Sequence, residues 1–220
     1  MKPTADYINP LVAGAVHDAK NGLSALMTWL DEAQHQAPST ALDEARAAAA
    51  RVSAQLIQLL AIYHANENSL RLAIEDHDLL DFCDEAIAEI VLPPGSSSRI
   101  EVDKRGASAV GAWAFDAYQV KLVLQEAIRN ALRHGRELVR FSIAAESGGG
   151  VRFSVQDDGD GFPDEVVRGE ARAMNSDSSG LGLAFARLIA KHHTTPDGRQ
   201  GRIELGNDAG GGGVFSLVLP

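Results

Sequence analysis

Apolar positions repeat in two different ways along this chain, and the change falls near residue 73. Up to that point the period is helical. Val12, Val16, Ala19, Leu23, Leu26 and Leu30 follow one another at alternating steps of four and three, as do Leu42, Ala45, Ala49, Val52, Leu56, Leu59 and Tyr63. Seams of this kind mark helices that pair. Between them, HQAPST carries Pro38 as a helix stop. Ser39 or Thr40 is placed to cap the second helix, with Asp43 and Glu44 in its first turn. Residues 1–73 are therefore expected to form a helical hairpin. One hairpin buries a single side of each helix, whereas two packed as a four-helix bundle bury much more, so a homodimer is expected.

From residue 74 onward the pattern alternates. IEDHDLLDFCDEAIAEIVL predicts a short strand leading into a helix. RIEVDKR and SAVGAWAF predict strands, and DAYQVKLVLQEAIRNALRHG a strongly amphipathic helix. ELVRFSIAAE and GVRFSVQDD predict a hairpin around a glycine run. A glycine-bearing loop, the helix GLAFARLIAKHH and the strands GRIELGN and GVFSLVLP follow. This order predicts an α+β sandwich over residues 74–220, a mixed sheet with helices on one face. PPGSSS and DAGGGG read as loops.

Bulk composition narrows the classes only slightly. The 220 residues carry a formal net charge of −10, which disfavours nucleic acid as a partner. The single Cys83 excludes an internal disulfide and fits a reducing compartment, so a cytoplasmic location is expected. No signal peptide and no apolar run of about 18 residues is visible, so no membrane span is expected.

Candidate chemistry begins at AVHDAKNGL. His17 lies one position off the first seam, about 100° around the helix, with Asp18 beside it and Asn21 one turn on. An imidazole on the flank of a helix and next to a carboxylate can act as a nucleophile, or it can be a solvated surface histidine. Within LVLQEAIRNALRHG, Glu126, Asn130 and Arg133 form a polar stripe on an otherwise apolar helix. An asparagine oxygen suits Mg²⁺, which also takes phosphate oxygens, and Arg133 and His134 can face phosphate. VQDDGDGFP places Asp157, Gly159 and Gly161 after an apolar strand. The glycines let backbone approach a flat ligand, and Asp157 can accept from an exocyclic amine. The spacing is not that of a Ca²⁺ loop. SSGLGLAFARLIAKHH sets Gly180 and Gly182 at a helix start, where N–H groups and dipole suit phosphate. It is neither a Walker A loop nor a dinucleotide fingerprint.

In this order, HDAKN, QEAIRNALRHG, DDGDGFP, SSGLGLAFARLIAKHH and GRIELGNDAGGGGVFSLVLP resemble the sensor histidine kinases of bacterial two-component systems, over roughly residues 8–220. The resemblance implies a dimerisation and phosphotransfer hairpin followed by an ATP-binding domain of the Bergerat fold. It implies an ATP-dependent protein-histidine kinase in which His17 accepts the γ-phosphoryl group, Asp18 polarises it, and Asn21 helps orient water for regulator dephosphorylation. By the same resemblance Asn130 binds Mg²⁺ with the phosphates, Glu126 and Arg133 are its polar neighbours, and Asp157 contacts adenine beside Gly159 and Gly161. Gly180 and Gly182 match the hinge of the ATP lid. The implied partner is a response-regulator receiver domain; because no sensor region is seen before the hairpin, input is expected from a separate sensor protein, or the protein is constitutive.

Two further departures bear on function. DEVVRGEARAMNSDSS, between Gly161 and Gly180, holds no phenylalanine-containing box, so the lid is expected to be short. Gly22 stands where such proteins often have proline, so the kink below the histidine is expected to be missing. The alternatives are a phosphotransfer hub or regulator phosphatase with weak or lost ATP use, and a non-catalytic module that sequesters a regulator. The hand of the hairpin, and with it phosphorylation within or across the dimer, is not fixed by HQAPST.

Overall fold

Helix α1 (Ala5–Gln36) runs without a break through Gly14 and Gly22, and helix α2 (Thr40–Asn66) returns alongside it. The computed structural model describes residues 5–67, 69–88, 90, 98–168 and 180–220, with backbone alone at 5–13, 15 and 17. Ser39 is the N-cap: its Oγ accepts from the Leu42 N–H at 3.2 Å. Asp31 and Arg46 pair across the hairpin at 3.3 Å. The second seam divides in two. Ala49 is buried and Leu42, Leu56 and Tyr63 are partly covered, while Ala45 is exposed and Val52 and Leu59 stay 45% and 47% exposed. Leu26 and Trp29 of α1 are likewise exposed.

The chain separates into two compact units, Met1–Leu70 and Arg71–Pro220. Residues just after 70 go with the second unit because the Ala73 N–H donates to Asp116 at 2.9 Å.

The second unit opens with strand β1 (Glu75–Asp78), helix α3 (Leu79–Ala88) and strand β2 (Arg99–Asp103). SAVGAWAF is not one strand. Its first part belongs to a short helix, α4 (Arg105–Val110), and only Ala112–Phe115 form strand β3. Gly111, at φ 83°, turns the chain between them, and Gly106 lets α4 lie directly on the Ile143 carbonyl, where a Cβ would overlap it. Helix α5 (Ala117–His134), the hairpin of β4 (Leu138–Ala145) and β5 (Val151–Asp157), the short α6 (Asp164–Val167), helix α7 (Leu181–His192) and strands β6 (Arg202–Asn207) and β7 (Gly213–Leu219) complete it.

Among the described residues the strands make two sheets. β1 and β3 pair antiparallel, and five strands run in the order β2-β4-β5-β7-β6. β2 is parallel to β4 and the remaining pairs are antiparallel, so the larger sheet is mixed. Its register puts Phe141 opposite Val155, Ile143 opposite Phe153 and Phe153 opposite Leu217, one buried apolar face. Helices α3, α5 and α7 cover that face. Phe82 of α3 joins Phe115 and Phe153 in an edge-to-face triad with centroids 4.9–5.8 Å apart. The opposite face is polar, with Arg152 held by Glu146 at 2.8 Å and by Glu204 at 2.7 Å. The architecture is thus a helical N-terminal part followed by an α/β domain.

Candidate functional site

Helix α5 is pinned at its start. Asp116 caps it by accepting from the Gln119 N–H at 2.9 Å, and the Asp116 N–H itself donates to Nε2 of His193 at 3.1 Å. His193 Nδ1–H donates to the Ile189 carbonyl at 2.8 Å. Burial pushes this imidazole below its ordinary pKa, so it stays neutral and keeps an acceptor for Asp116. These contacts fix the first turn of α5 against the last turn of α7.

Its far end meets the end of β5 equally closely. A Cβ on Gly135 would lie 3.3 Å from Asp157 Cβ, and one on Gly159 would overlap the His134 carbonyl. Gly159 thus lets the D-x-G-x-G turn pack directly on the helix end. Between the two anchors run Glu126, Asn130 and Arg133. Glu126 accepts from Arg129 at 3.3 Å, and a Cβ on Gly182 would lie 3.0 Å from Glu126 Cγ. The stripe on α5 and the glycines at the start of α7 therefore adjoin one another. Asn130 is half-buried, and its amide has no hydrogen-bond partner among the described residues. Arg133 and His134 are exposed. Gly180 caps α7 in the left-handed region, at φ 65°, with no side chain capping the helix.

Asp157 and Asp158, adjacent in sequence, face different surroundings. Asp157 Oδ1 accepts from the N–H groups of Gly159 at 2.9 Å and Gly213 at 3.2 Å. Its Oδ2 accepts no bond among the described residues, and a Cβ on Gly213 would lie 2.8 Å from it. This is an oriented carboxylate with one open oxygen beside Gly213. Asp158 turns the other way. Its two oxygens accept from the backbone N–H groups of Arg136, Glu137 and Leu138 at 2.7–3.1 Å. Burial alone would raise its carboxyl, but those three donors outweigh it and hold the pKa below the usual carboxylate range. Asp158 clasps the α5–β4 loop.

Opposite the D-x-G-x-G turn lies the DAGGGG turn. A Cβ on Gly212 would overlap the Asp157 carbonyl, and one on Gly213 would come 3.2 Å from the Phe162 ring. Asn207 and Asp208 hold this pair of turns. Asn207 bonds the Phe162 backbone, and Asp208 accepts from Gly210 N–H, Gly212 N–H and the Gln156 amide. Asp158, Asn207, Asp208, Gly212 and Gly213 were not among the residues singled out from sequence. For the last four the one signal is four consecutive glycines after Asn-Asp-Ala, more than a turn requires.

Other expected residues lie in the first unit. His17, Asp18 and Asn21 are on α1. Asp18 and Asn21 are exposed, and the side chain of His17 lies outside the described residues. Of the expected short lid, residues 169–179 lie outside the described residues too.

A carboxylate fixed at a strand end, glycine-walled turns around it, and an unpartnered helical asparagine beside a glycine-started helix define a nucleotide-binding domain. Residues 115–220 match the family model of histidine kinase-, DNA gyrase B- and HSP90-like ATPases. The chain is 29% identical over 174 residues to the signal transduction histidine-protein kinase AfsQ2 of Streptomyces coelicolor, covering 74% of this chain and 29% of that protein. It is 26% identical over 222 residues to the sensor histidine kinase ZraS of Escherichia coli, covering 96% and 45%. Full-length ShkA, solved in complex with AMPPNP, superposes with a TM-score of 0.64 at 18% identity, covering 96% of this chain and 45% of that one. The second unit is thus similar to the ATP-binding domains of sensor histidine kinases. The chain spans less than half the length of these curated relatives, and no described helix is long and apolar enough to cross a membrane.

Proposed function

We propose that the chain is an ATP-dependent protein-histidine kinase that phosphorylates itself on His17 and passes the phosphoryl group to an aspartate of a response-regulator receiver domain. The observation that carries this reading is Asp157. Its Oδ1 is held by two backbone donors while Oδ2 is left open beside Gly213, as a carboxylate reading the exocyclic amine of adenine would be. Asn130 fits Mg²⁺. Its amide is half-buried, lacks a partner among the described residues and lies one turn from Glu126. Bound there with the phosphates, Mg²⁺ neutralises charge on the transferring group. Arg133 and the start of α7, where Gly180 brings no capping side chain, suit the remaining phosphate charge. In the transfer the imidazole nitrogen of His17 bonds to the γ-phosphorus, the bond to the β,γ-bridging oxygen breaks and ADP leaves. Asp18 polarises the ring, and Asn21 orients water when the phosphorylated regulator is hydrolysed. The apolar residues left exposed on both arms of the hairpin support a homodimer.

The chain is incubated with γ-labelled ATP and Mg²⁺, alone and as His17→Ala. Base-stable, acid-labile label that vanishes in the variant supports the reading; label that persists in the variant removes His17 from it. The lack of a phenylalanine box in DEVVRGEARAMNSDSS, residues 164–179, favours a second reading, a phosphotransfer hub. In that case no label enters from ATP, yet a phosphorylated receiver domain still phosphorylates His17.

A further inference from the structure

Two turns meet beside the Asp157 carboxylate, each starting or ending on a strand of the larger sheet. One is the turn Asp157–Phe162, the other the DAGGGG turn between β6 and β7. Asn207 is the last residue of β6 and stands across the ladder from Gly213. Its side chain does not continue the ladder. Oδ1 accepts from the Phe162 N–H at 2.7 Å, and Nδ2–H donates to the Phe162 carbonyl at 2.9 Å. The amide thus pairs with one residue's donor and acceptor, as a neighbouring strand would. The partners also fix its orientation, because a backbone N–H only donates and a carbonyl only accepts. No other described residue hydrogen-bonds the Phe162 backbone.

The fit around this pair is close. Gly161 has φ 77°, and a Cβ there would come 2.5 Å from the Gly211 carbonyl and 2.6 Å from Asn207 Oδ1. Asp208 holds the other turn, accepting from Gly210 N–H at 2.8 Å and Gly212 N–H at 3.1 Å. The Phe162 ring edges against Gly213, whose N–H donates to Asp157 at 3.2 Å. A path of direct contacts therefore runs from Asn207 through Phe162 and Gly213 to the carboxylate. Asn207 itself is exposed and contributes little to the core.

We propose that Asn207 is a positioning residue for the nucleotide. By holding the Phe162 backbone it sets the spacing between the two turns, and so the affinity for the base, without touching it. This inference rests on the ATP-site reading above. The phosphate end of the site, on α5 and at the start of α7, is built from other residues. Loss of Asn207 is therefore read mainly in nucleotide affinity.

The full chain is titrated calorimetrically with Mg²⁺·ADP as parent, Asn207→Ala and Asn207→Asp. Removing two hydrogen bonds from the turn is expected to weaken ADP binding roughly tenfold. Asn207→Asp keeps an acceptor for the Phe162 N–H but sets an oxygen against its carbonyl. It is expected to be at least as weak as the alanine variant. The KM for ATP rises more than kcat falls, and the ligand-free melting midpoint stays within about 3 °C of the parent. Dissociation constants within about twofold of the parent in both variants, or a loss confined to kcat, overturn the proposal. The parent separates the two claims. If it binds no ADP, the ATP-site reading itself fails; if it binds and both variants bind equally, only the role of Asn207 fails.

Discussion

The helical hairpin and the ATP-binding unit leave their apolar side chains in different places. In the second unit Leu79, Phe115, Phe141, Phe153, Phe185 and Ile189 are all fully buried, and the sheet closes over them within one chain. In the hairpin the described buried residues are Ala49, Gln58 and Ala61, while Leu26, Trp29, Val52 and Leu59 are 40–64% exposed. The difference teaches where each unit finds its stability. One is closed on itself and builds its site from close backbone approaches. The other has helical order but presents a side that a second copy would cover.

The comparison is tested first where the largest effect is expected. Gly212→Ala sets a methyl group against the Asp157 carbonyl, and Gly159→Ala one against the His134 carbonyl. Each is expected to destabilise the second unit by about 3 kcal/mol. Trp113 reports on that unit and Trp29 on the hairpin, so urea denaturation followed by fluorescence in a Trp29→Phe background isolates the loss. Retained far-ultraviolet helicity then shows that the hairpin stands apart, and a hairpin that unfolds together with the second unit would break the comparison.

Two neighbouring aspartates sharpen it. Asp157→Ala is expected to weaken ADP binding about 100-fold and to cost only about 1 kcal/mol of ligand-free stability, as the Gly159 and Gly213 N–H groups lose their acceptor. Asp158→Ala is expected to do the reverse, costing about 2 kcal/mol of stability as three backbone donors lose their partner. Calorimetry and denaturation on the same two proteins distinguish the roles, and equal effects on both readouts would refute the assignment. On the hairpin, Val52→Asp with Leu59→Asp tests the proposed homodimer: sedimentation equilibrium is expected to give a dimer for the parent and a monomer for the variant. ADP affinity should stay within about twofold, because both residues lie outside the ATP-binding unit.

The smallest effect concerns pH. His193 is held neutral in the fold, below its ordinary value of 6.5, by burial. The unfolded chain takes up the proton first, so the stabilisation is complete above about pH 6.5 and declines as pH falls toward the folded-state pKa. Denaturation midpoints of the second unit between pH 7.5 and 5.5 should decline on acidification, and His193→Gln should flatten that trend. An unchanged slope would remove His193 from the account.

Much of this was legible in sequence, because period and punctuation are local signals. The two helical seams, a cap at Ser39 or Thr40, the amphipathic helix carrying Glu126 and Asn130, and the strand before Asp157 can all be read from neighbours in the chain. What was not legible depends on distant partners. SAVGAWAF reads as strand by composition, yet α4 forms there because Gly106 can lie on β4, and nothing in the stretch itself announces that contact. DDGDG holds three aspartates that periodicity cannot tell apart. Only the fold turns Asp157 toward Gly213 and Asp158 toward the α5–β4 loop. DAGGGG reads as a plain turn until β6 and β7 bring it against Asp157. The division of the α2 seam into a covered and an exposed stripe likewise needs α1 in place.

The strand order has a consequence for how the molecule is made. β7, the last strand of the sheet, lies between β5 and β6, so β6 has no place in the sheet until residues 213–219 exist. The hairpin, by contrast, is complete once α2 ends at Asn66. Ribosomes add about 5–20 residues per second, so the roughly 150 residues between these two points take on the order of ten seconds. For that interval each nascent chain presents a finished hairpin and an unfinished nucleotide domain. The proposed pairing of hairpins would then be open to neighbours on the same message before any copy has a complete nucleotide domain.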